Sequence, residues 1–229
     1  MIIRSSLPNI RTDKGPPALE FTQKFIPFKD HTCINRFITK RQDPSECADV
    51  SFQKDGVYNI NPKGARSSRP AYCVMRNGIK WTPISIFALG NEAIHLISTN
   101  GKHKLHIDLE LRNGSRFYAD YSLFKLNNES SQYLLKVTGY SGTAGDAMDN
   151  YDRSLGANGA QFSTRDRDNG EYIRNCAELY HGGWWYVSCS NSDLNGNNTI
   201  YTKGSLQFWN KNDLKYAGIK QSEMMITKY

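Results

Sequence analysis

The clearest order in the chain is the alternation of apolar and polar residues that begins at His103. Leu105, Ile107, Leu109 and Leu111 alternate with His106, Asp108, Glu110 and Arg112. A period of two over that length predicts a strand with one buried face. Asn113-Gly114 then offers the positive φ angles of a tight hairpin turn, and Phe117, Ala119, Tyr121 and Leu123 resume the alternation on a return strand. After the polar stretch "NNESS", the segment "QYLLKVTGY" predicts a third strand, so the middle of the sequence reads as an antiparallel meander. Just upstream, "NEAIHLIS" predicts a short helix with Ile94 and Ile97 facing that sheet. Earlier still, "KDGVYNINPKG" places Val57, Tyr58 and Ile60 in a short strand bounded by Asp55-Gly56 and Pro62, and "RPAYCVM" predicts another.

Either side of this core the pattern fades. Residues 1–42 are polar, contain prolines and hold no sustained periodicity, which predicts a tail or connector ahead of a domain over 43–229, with "FTQKFIPF" as a candidate strand. After Tyr140, "SGTAGDAMDN" and "RSLGANGAQFS" are dense in Gly, Ser, Asp and Asn, and the sequence to about residue 210 reads mostly as loop. Loops that long inside a compact domain need bracing other than a strand ladder. The candidates are a disulfide, a metal ion and aromatic anchors. The segment "FSTRDRDNGEYIRNCAELYHGGWWYVSC", from Phe162 to Cys189, contains all three.

The five cysteines stand at positions 33, 47, 73, 176 and 189, with no C-x-x-C spacing and no histidine cluster beside them, which argues against a zinc site. Two local disulfides, Cys47–Cys73 and Cys176–Cys189, fit better and imply an oxidising compartment; the plainer alternative is five buried thiols. Cys33 is then left over, either as a free thiol or paired with another polypeptide. Glycosylation triplets begin at Asn113, Asn128 and Asn197 and agree with secretion. Asp166 and Asp168, two apart, suggest a hard cation such as calcium, although Gly170 and Ala177 stand where an EF-hand needs ligands. The alternative is a solvated turn. Trp184 and Trp185 read either as core or as the wall of a ligand pocket.

Composition narrows the class. The protein has 229 residues, of which 38% are apolar and 22% charged, fitting one large globular domain, alone or with a tail. A net charge of +7 and a pI near 9.1 suit an anionic partner such as a glycan or cell surface, or simply a basic soluble surface. The basic residues form no long run and no nucleic-acid module is present, so nucleic acid is not the expected partner. No stretch reaches the roughly 18 consecutive apolar residues of a membrane span, and "MIIRSSLPNIRTDKGPP" lacks the apolar segment of a signal peptide. No G-x-S-x-G, H-E-x-x-H or Walker-type motif occurs, and no enzyme activity is expected.

Taken in order, "SECADV", "DGVYNINP", "YCVM", "LGNEAIHLIS", "LHIDLE", "YADYSLFKL", "YSGTAGDAM", "FSTRDRDN", "NCAELYHGGWWYVSC" and "SDLNG" resemble the fibrinogen C-terminal domain of fibrinogen, ficolins, tachylectins, angiopoietins and tenascins. The series runs from about Asp43 to the C-terminus. The resemblance implies an extracellular α+β fold. It would have a small N-terminal subdomain held by Cys47–Cys73, a central antiparallel sheet with helices, and a loop-rich subdomain that binds calcium and ligand.

Residue by residue, Asp168 matches a calcium-binding aspartate, and Tyr172 and Arg174 match positions whose backbone carbonyls complete the site. The family's second aspartate corresponds to Gly170, which would weaken calcium unless Asp166 compensates. In the acetyl-recognising lectins of the family, the matching pocket would comprise Tyr180, the backbone N–H groups of Cys189 and Ser190, the pair Tyr201 and Thr202, and Tyr216. Ser190 and Thr202 replace a usual histidine and alanine and make that pocket more polar. Between Cys73 and Asn91 the sequence departs from the family pattern: about 25 to 30 residues, a strand and a helix, are missing, which shortens the domain between 76 and 88 and would expose apolar surface. The expected function is a secreted lectin for acetylated or anionic glycans, or cell-surface glycoproteins, in defence or adhesion. The alternatives are a protein-binding module of the matrix or growth-factor type and a truncated, non-functional variant. Neither a Gly-X-Y run nor heptads occur, so an oligomer would depend on Cys33 or on further N-terminal sequence.

Overall fold

The computed structural model describes residues 43–84, 89–148, 155–196, 208–209 and 218–229. Its frame is a seven-stranded sheet in which every neighbouring pair is antiparallel. In sequence order the elements are β1 (Gly56–Ile60), β2 (Arg69–Arg76), β3 (Ile79–Pro83), α1 (Gly90–Ser98), β4 (His103–Leu111), β5 (Arg116–Leu126) and β6 (Leu135–Gly142). The loop-rich region that follows holds α2 (Cys176–Leu179) and the short pair β7 (Ser192–Asp193) and β8 (Phe208–Trp209), before β9 (Ile219–Lys228) returns to the sheet. Across the sheet the order is β1-β2-β3-β9-β4-β5-β6. The C-terminal strand thus enters the middle of the sheet and joins the N-terminal hairpin to the meander.

The expected meander is present as β4, β5 and β6, and the expected helix as α1. Leu105, Ile107, Leu109 and Leu111 are buried on the face that packs with Ile94 and Ile97 of α1, while Lys104, His106, Asp108 and Glu110 point the other way. Two details differ from the sequence reading. Only Gly114 takes a positive φ, of 86°, in the β4–β5 turn. The Gly114 N–H donates to Leu111 O, and Leu111 faces Ser115, so the loop spans three residues rather than two. A bulge then changes the phase of β5, because His103 pairs with Phe124 but Leu105 with Tyr121. Phe124 and Leu126 therefore take the inward places, and Leu123, expected inward, is only half-buried.

The N-terminal hairpin β1–β2 is the edge of the same sheet. Cys47 and Cys73 form the expected disulfide, with Cα atoms 5.4 Å apart. The fully buried Glu46 carboxylate lies 3.0 Å from His103 Nε2, and the Cys47 N–H donates to Thr82 Oγ1 at 3.1 Å. These contacts fix the start of the domain against β3 and β4. "FTQKFIPF", Cys33 and the rest of 1–42 lie outside the described residues.

Candidate functional site

The region after β6 has few ladders, and its interior is aromatic. Trp184, Trp185, Tyr186 and Trp209 are buried, and they pack with Phe162, Ala147, Met148 and Leu194. The two adjacent tryptophans are therefore core. The Trp185 indole donates to Tyr133 O at 2.9 Å, and the Trp209 indole to Gly145 O at 2.9 Å, so each large ring also ties a loop backbone in place. A segment poor in aliphatic residues thus builds its interior from rings. The diglycine before the tryptophans has a steric cause: a Cβ on Gly182 would lie 2.5 Å from Asn195 O, and one on Gly183 would lie 2.8 Å from the Phe162 ring.

Cys176 and Cys189 form the second disulfide, Cα to Cα 5.5 Å. With both pairs formed, Cys33 is the fifth cysteine. Asn175 caps α2, its Oδ1 accepting from Ala177 N and Glu178 N at 2.9 and 3.2 Å. The same residue donates through Nδ2 to Thr164 O and Arg165 O, joining the helix start to the aspartate-rich turn. Ser163 and Trp184 exchange backbone hydrogen bonds, and Glu171 N donates to Val187 O. Asn169 Nδ2 donates to Phe162 O at 2.6 Å. The turn is thus laced to the tryptophan segment by its own amides.

The four residues expected at a metal, Asp166, Asp168, Tyr172 and Arg174, are all exposed on this turn. Asp168 Oδ1 accepts from Gly170 N at 3.1 Å, while the Asp166 carboxyl is held by Thr164 and lowered below the usual carboxylate range by that hydrogen bond. A Cβ on Gly170 would sit 3.3 Å from Asp168 Oδ1 and 3.0 Å from Val187 O. A larger residue at 170 would therefore reach the same spot as Asp168, and glycine leaves that spot with one carboxylate. Among the described residues no three His, Cys, Asp or Glu side chains gather as a metal set. Any further oxygens for a calcium ion would have to be backbone carbonyls, such as those of Tyr172 and Arg174, or waters.

The expected ligand residues converge in part. Tyr180 is half-buried, stacked on Tyr186 at 5.9 Å and tilted against Phe208 at 5.1 Å between ring centroids. Cys189 and Ser190 are buried nearby, and Ser190 Oγ lies 3.4 Å from Leu155 O and accepts from Ser192 N at 3.3 Å. Cys189 O accepts from Val187 N at 2.7 Å, whereas the N–H groups of Cys189 and Ser190 find no acceptor among the described residues. Tyr201, Thr202 and Tyr216 lie outside the described residues.

Two residues that the sequence reading did not single out complete this corner. Tyr186 Oη lies 2.6 Å from Asp193 Oδ2 and 3.1 Å from Gly182 O, and Asp193 Oδ1 accepts from Asn195 N at 2.8 Å. Burial pushes the Asp193 pKa up to about 6 against the pull of Tyr186 and the Asn195 and Gly196 amides. Burial and the neighbouring Asp193 carboxylate raise the phenol pKa values of Tyr186 and Tyr180 as well. The motif "SDLNG" marks the segment, but no spacing announces that its aspartate meets Tyr186.

The family model described as the C-terminal globular domain of the fibrinogen beta and gamma chains matches residues 78–229. The sequence is 32% identical to mouse fibrinogen-like protein 1, over 80% of this protein and 69% of that one. It is 33% identical to human angiopoietin-1 over 76% of this protein and 38% of that one. Against mouse fibrinogen C domain-containing protein 1 the identity is 35%, covering 66% of this protein and 39% of the relative. Among solved structures, the fibrinogen-like globe domain of human ANGPTL2 superposes with a TM-score of 0.70 at 26% identity, covering 81% of this protein and 99% of that one. Lamprey fibrin D-dimer, complexed with the peptide ligand Gly-His-Arg-Pro-amide, gives a TM-score of 0.72 at 28% identity, covering 81% of this protein and 73% of that one.

Proposed function

The protein belongs to the fibrinogen C-terminal domain family, and from that premise we propose that it is an extracellular binding module whose partner is a protein, recognised without catalysis. The observation that carries this reading is the corner at the second disulfide. There the Cys189 and Ser190 N–H groups lack acceptors among the described residues, beside the aromatic stack of Tyr180, Tyr186 and Phe208. Two neighbouring peptide donors receive a carbonyl oxygen, and flat aromatic faces cover the apolar group next to it. A backbone carbonyl of a docked peptide meets both demands. Two disulfides and a net charge of +7 suit an oxidising exterior and an anionic cell surface. Among the described residues no helix is long and apolar enough to cross a membrane.

A second reading rests on the same donors. The carbonyl of an acetamido group would fit the two amides equally well, which keeps an acetylated or anionic glycan as the competing ligand. Calcium, in either case, would hold weakly to Asp168, and the turn keeps its shape through Asn169 and Asn175. Cys33 offers an intermolecular disulfide through which weak single contacts would gain avidity.

Binding of the labelled full-length protein to intact cells separates the partners. Protease treatment of the cells should abolish binding, while glycosidase treatment or free N-acetylglucosamine should leave it in place. EDTA should change the apparent Kd by less than about twofold, well under one decade of affinity. Binding that survives protease and is displaced by N-acetylglucosamine would replace the protein reading with the glycan one.

A further inference from the structure

Two exposed turns, one at each end of β5, hold an asparagine whose amide nitrogen has no protein partner. We propose that Asn113 and Asn128 are sites of N-linked glycosylation, each bearing an oligosaccharide on Nδ2. The triplets Asn113-Gly114-Ser115 and Asn128-Glu129-Ser130 supply the asparagine, and the serine two residues on, that this modification needs. Such triplets recur by chance, so the structural setting decides. The proposal shares with the preceding reading only its extracellular setting, for which the two disulfides argue.

Residues 112–116 are all exposed at the tip of the β4–β5 hairpin, and a Cβ built on Gly114 meets no atom within 4 Å. Asn113 Oδ1 accepts from Ser115 N at 3.0 Å, while its Nδ2 has no acceptor among the described residues. Asn128, also exposed, caps the single 3-10 turn Glu129–Ser131 in the connection from β5 to β6. Its Oδ1 accepts from Ser130 Oγ at 2.8 Å, Ser131 Oγ at 3.1 Å and Ser131 N at 3.3 Å, and again Nδ2 is unengaged among the described residues. In both turns the carbonyl half of the amide shapes the backbone and the nitrogen half is left over. Glycosylation preserves that division. Nδ2 loses one proton to a base of the transferring enzyme and bonds to C1 of the sugar. The bond from C1 to oxygen in a polyprenyl-pyrophosphate-linked oligosaccharide breaks, and the lipid pyrophosphate leaves. The product is still an amide, so Oδ1 keeps accepting, and each exposed turn carries a bulky glycan without giving up a hydrogen bond.

Peptide mapping of the full-length protein secreted by cultured animal cells, with peptide-N-glycosidase release in heavy-oxygen water, tests each site. The expected result is a glycan on the peptide containing Asn113 and another on the peptide containing Asn128, each asparagine becoming heavy-oxygen-labelled aspartate on release. Ser115→Ala and Ser130→Ala should each remove the glycan from their own site, while Ser115→Thr and Ser130→Thr should keep it. Replacing serine rather than asparagine leaves Oδ1 in place for Ser115 N and Ser131 N, and melting curves that match wild type exclude misfolding as the cause of a loss. An unmodified Asn113 or Asn128 peptide in the secreted protein would overturn the assignment at that residue, as would a glycan retained in its alanine variant. The mapping needs no partner, so its failure is distinct from a failure of the disulfide corner to bind.

Discussion

Asp193 is a fully buried acid whose carboxyl is held by Tyr186 and by the Asn195 and Gly196 amides. When it is protonated, it can donate to Tyr186 Oη, which then donates to Gly182 O 3.1 Å away. Burial favours that neutral form and raises the pKa from 3.8 to about 6. A raised native pKa means the linked stability is fully present below the unfolded value and is lost as pH rises through the native one. Two units correspond to roughly 3 kcal/mol at 1.4 kcal/mol per unit. Asn in place of Asp193 keeps the acceptor for Asn195 N and a donor for Tyr186, without the charge. Asp193→Asn should therefore melt higher than wild type at pH 7.5, with the gap closing as pH falls toward 4. A gap that does not change with pH would contradict the assignment.

At the scale of elements, the bracing of the aspartate-rich turn, α2 and the tryptophan segment by one cross-link has a measurable consequence. The Cys176–Cys189 pair closes a loop with a sequence separation of 13, and removing such a link costs about 3 kcal/mol. Replacing both cysteines by serine should lower the melting temperature and speed hydrogen exchange in 162–196, while β4, β5 and β6 keep their protection. Uniform loss of protection across the sheet would show that the loop region does not unfold separately. The elements also differ in how far the sequence announces them. β4 was legible because it is buried on one face only, which writes a period of two into its residues. β9 was not, because a strand in the middle of the sheet is covered on both faces, and Met224, Met225, Ile226 and Thr227 form an unbroken buried run. The bulge between Tyr121 and Phe124 escaped for a related reason: apolar residues at 121, 123 and 124 satisfy either phase. β7 and β8, two residues each, carry no periodicity at all.

Across the whole molecule, a conventional sheet and helix give way to a cross-linked set of aromatic-filled loops. Cys189, Ser190 and Tyr180 were reachable only through the family resemblance. Nothing in their spacing says that two amides would be left without acceptors among the described residues, near a tyrosine stack. Tyr186 and Asp193 were missed because the contact joins segments that the turn at Gly182 and Asn195 brings together, and sequence proximity does not encode it. Trp184 and Trp185, ambiguous between core and pocket wall, are core because Trp185 reaches back to Tyr133 on the sheet side. On the proposed reading, a partner docked at the Cys189 and Ser190 amides also uses the Tyr180 ring. Equilibrium binding of Tyr180→Ala to untreated cells, beside wild type at matched folded fraction, tests that docking most directly. The predicted result is a loss of about tenfold or more in Kd. Affinity within about twofold of wild type would place the partner elsewhere on the molecule.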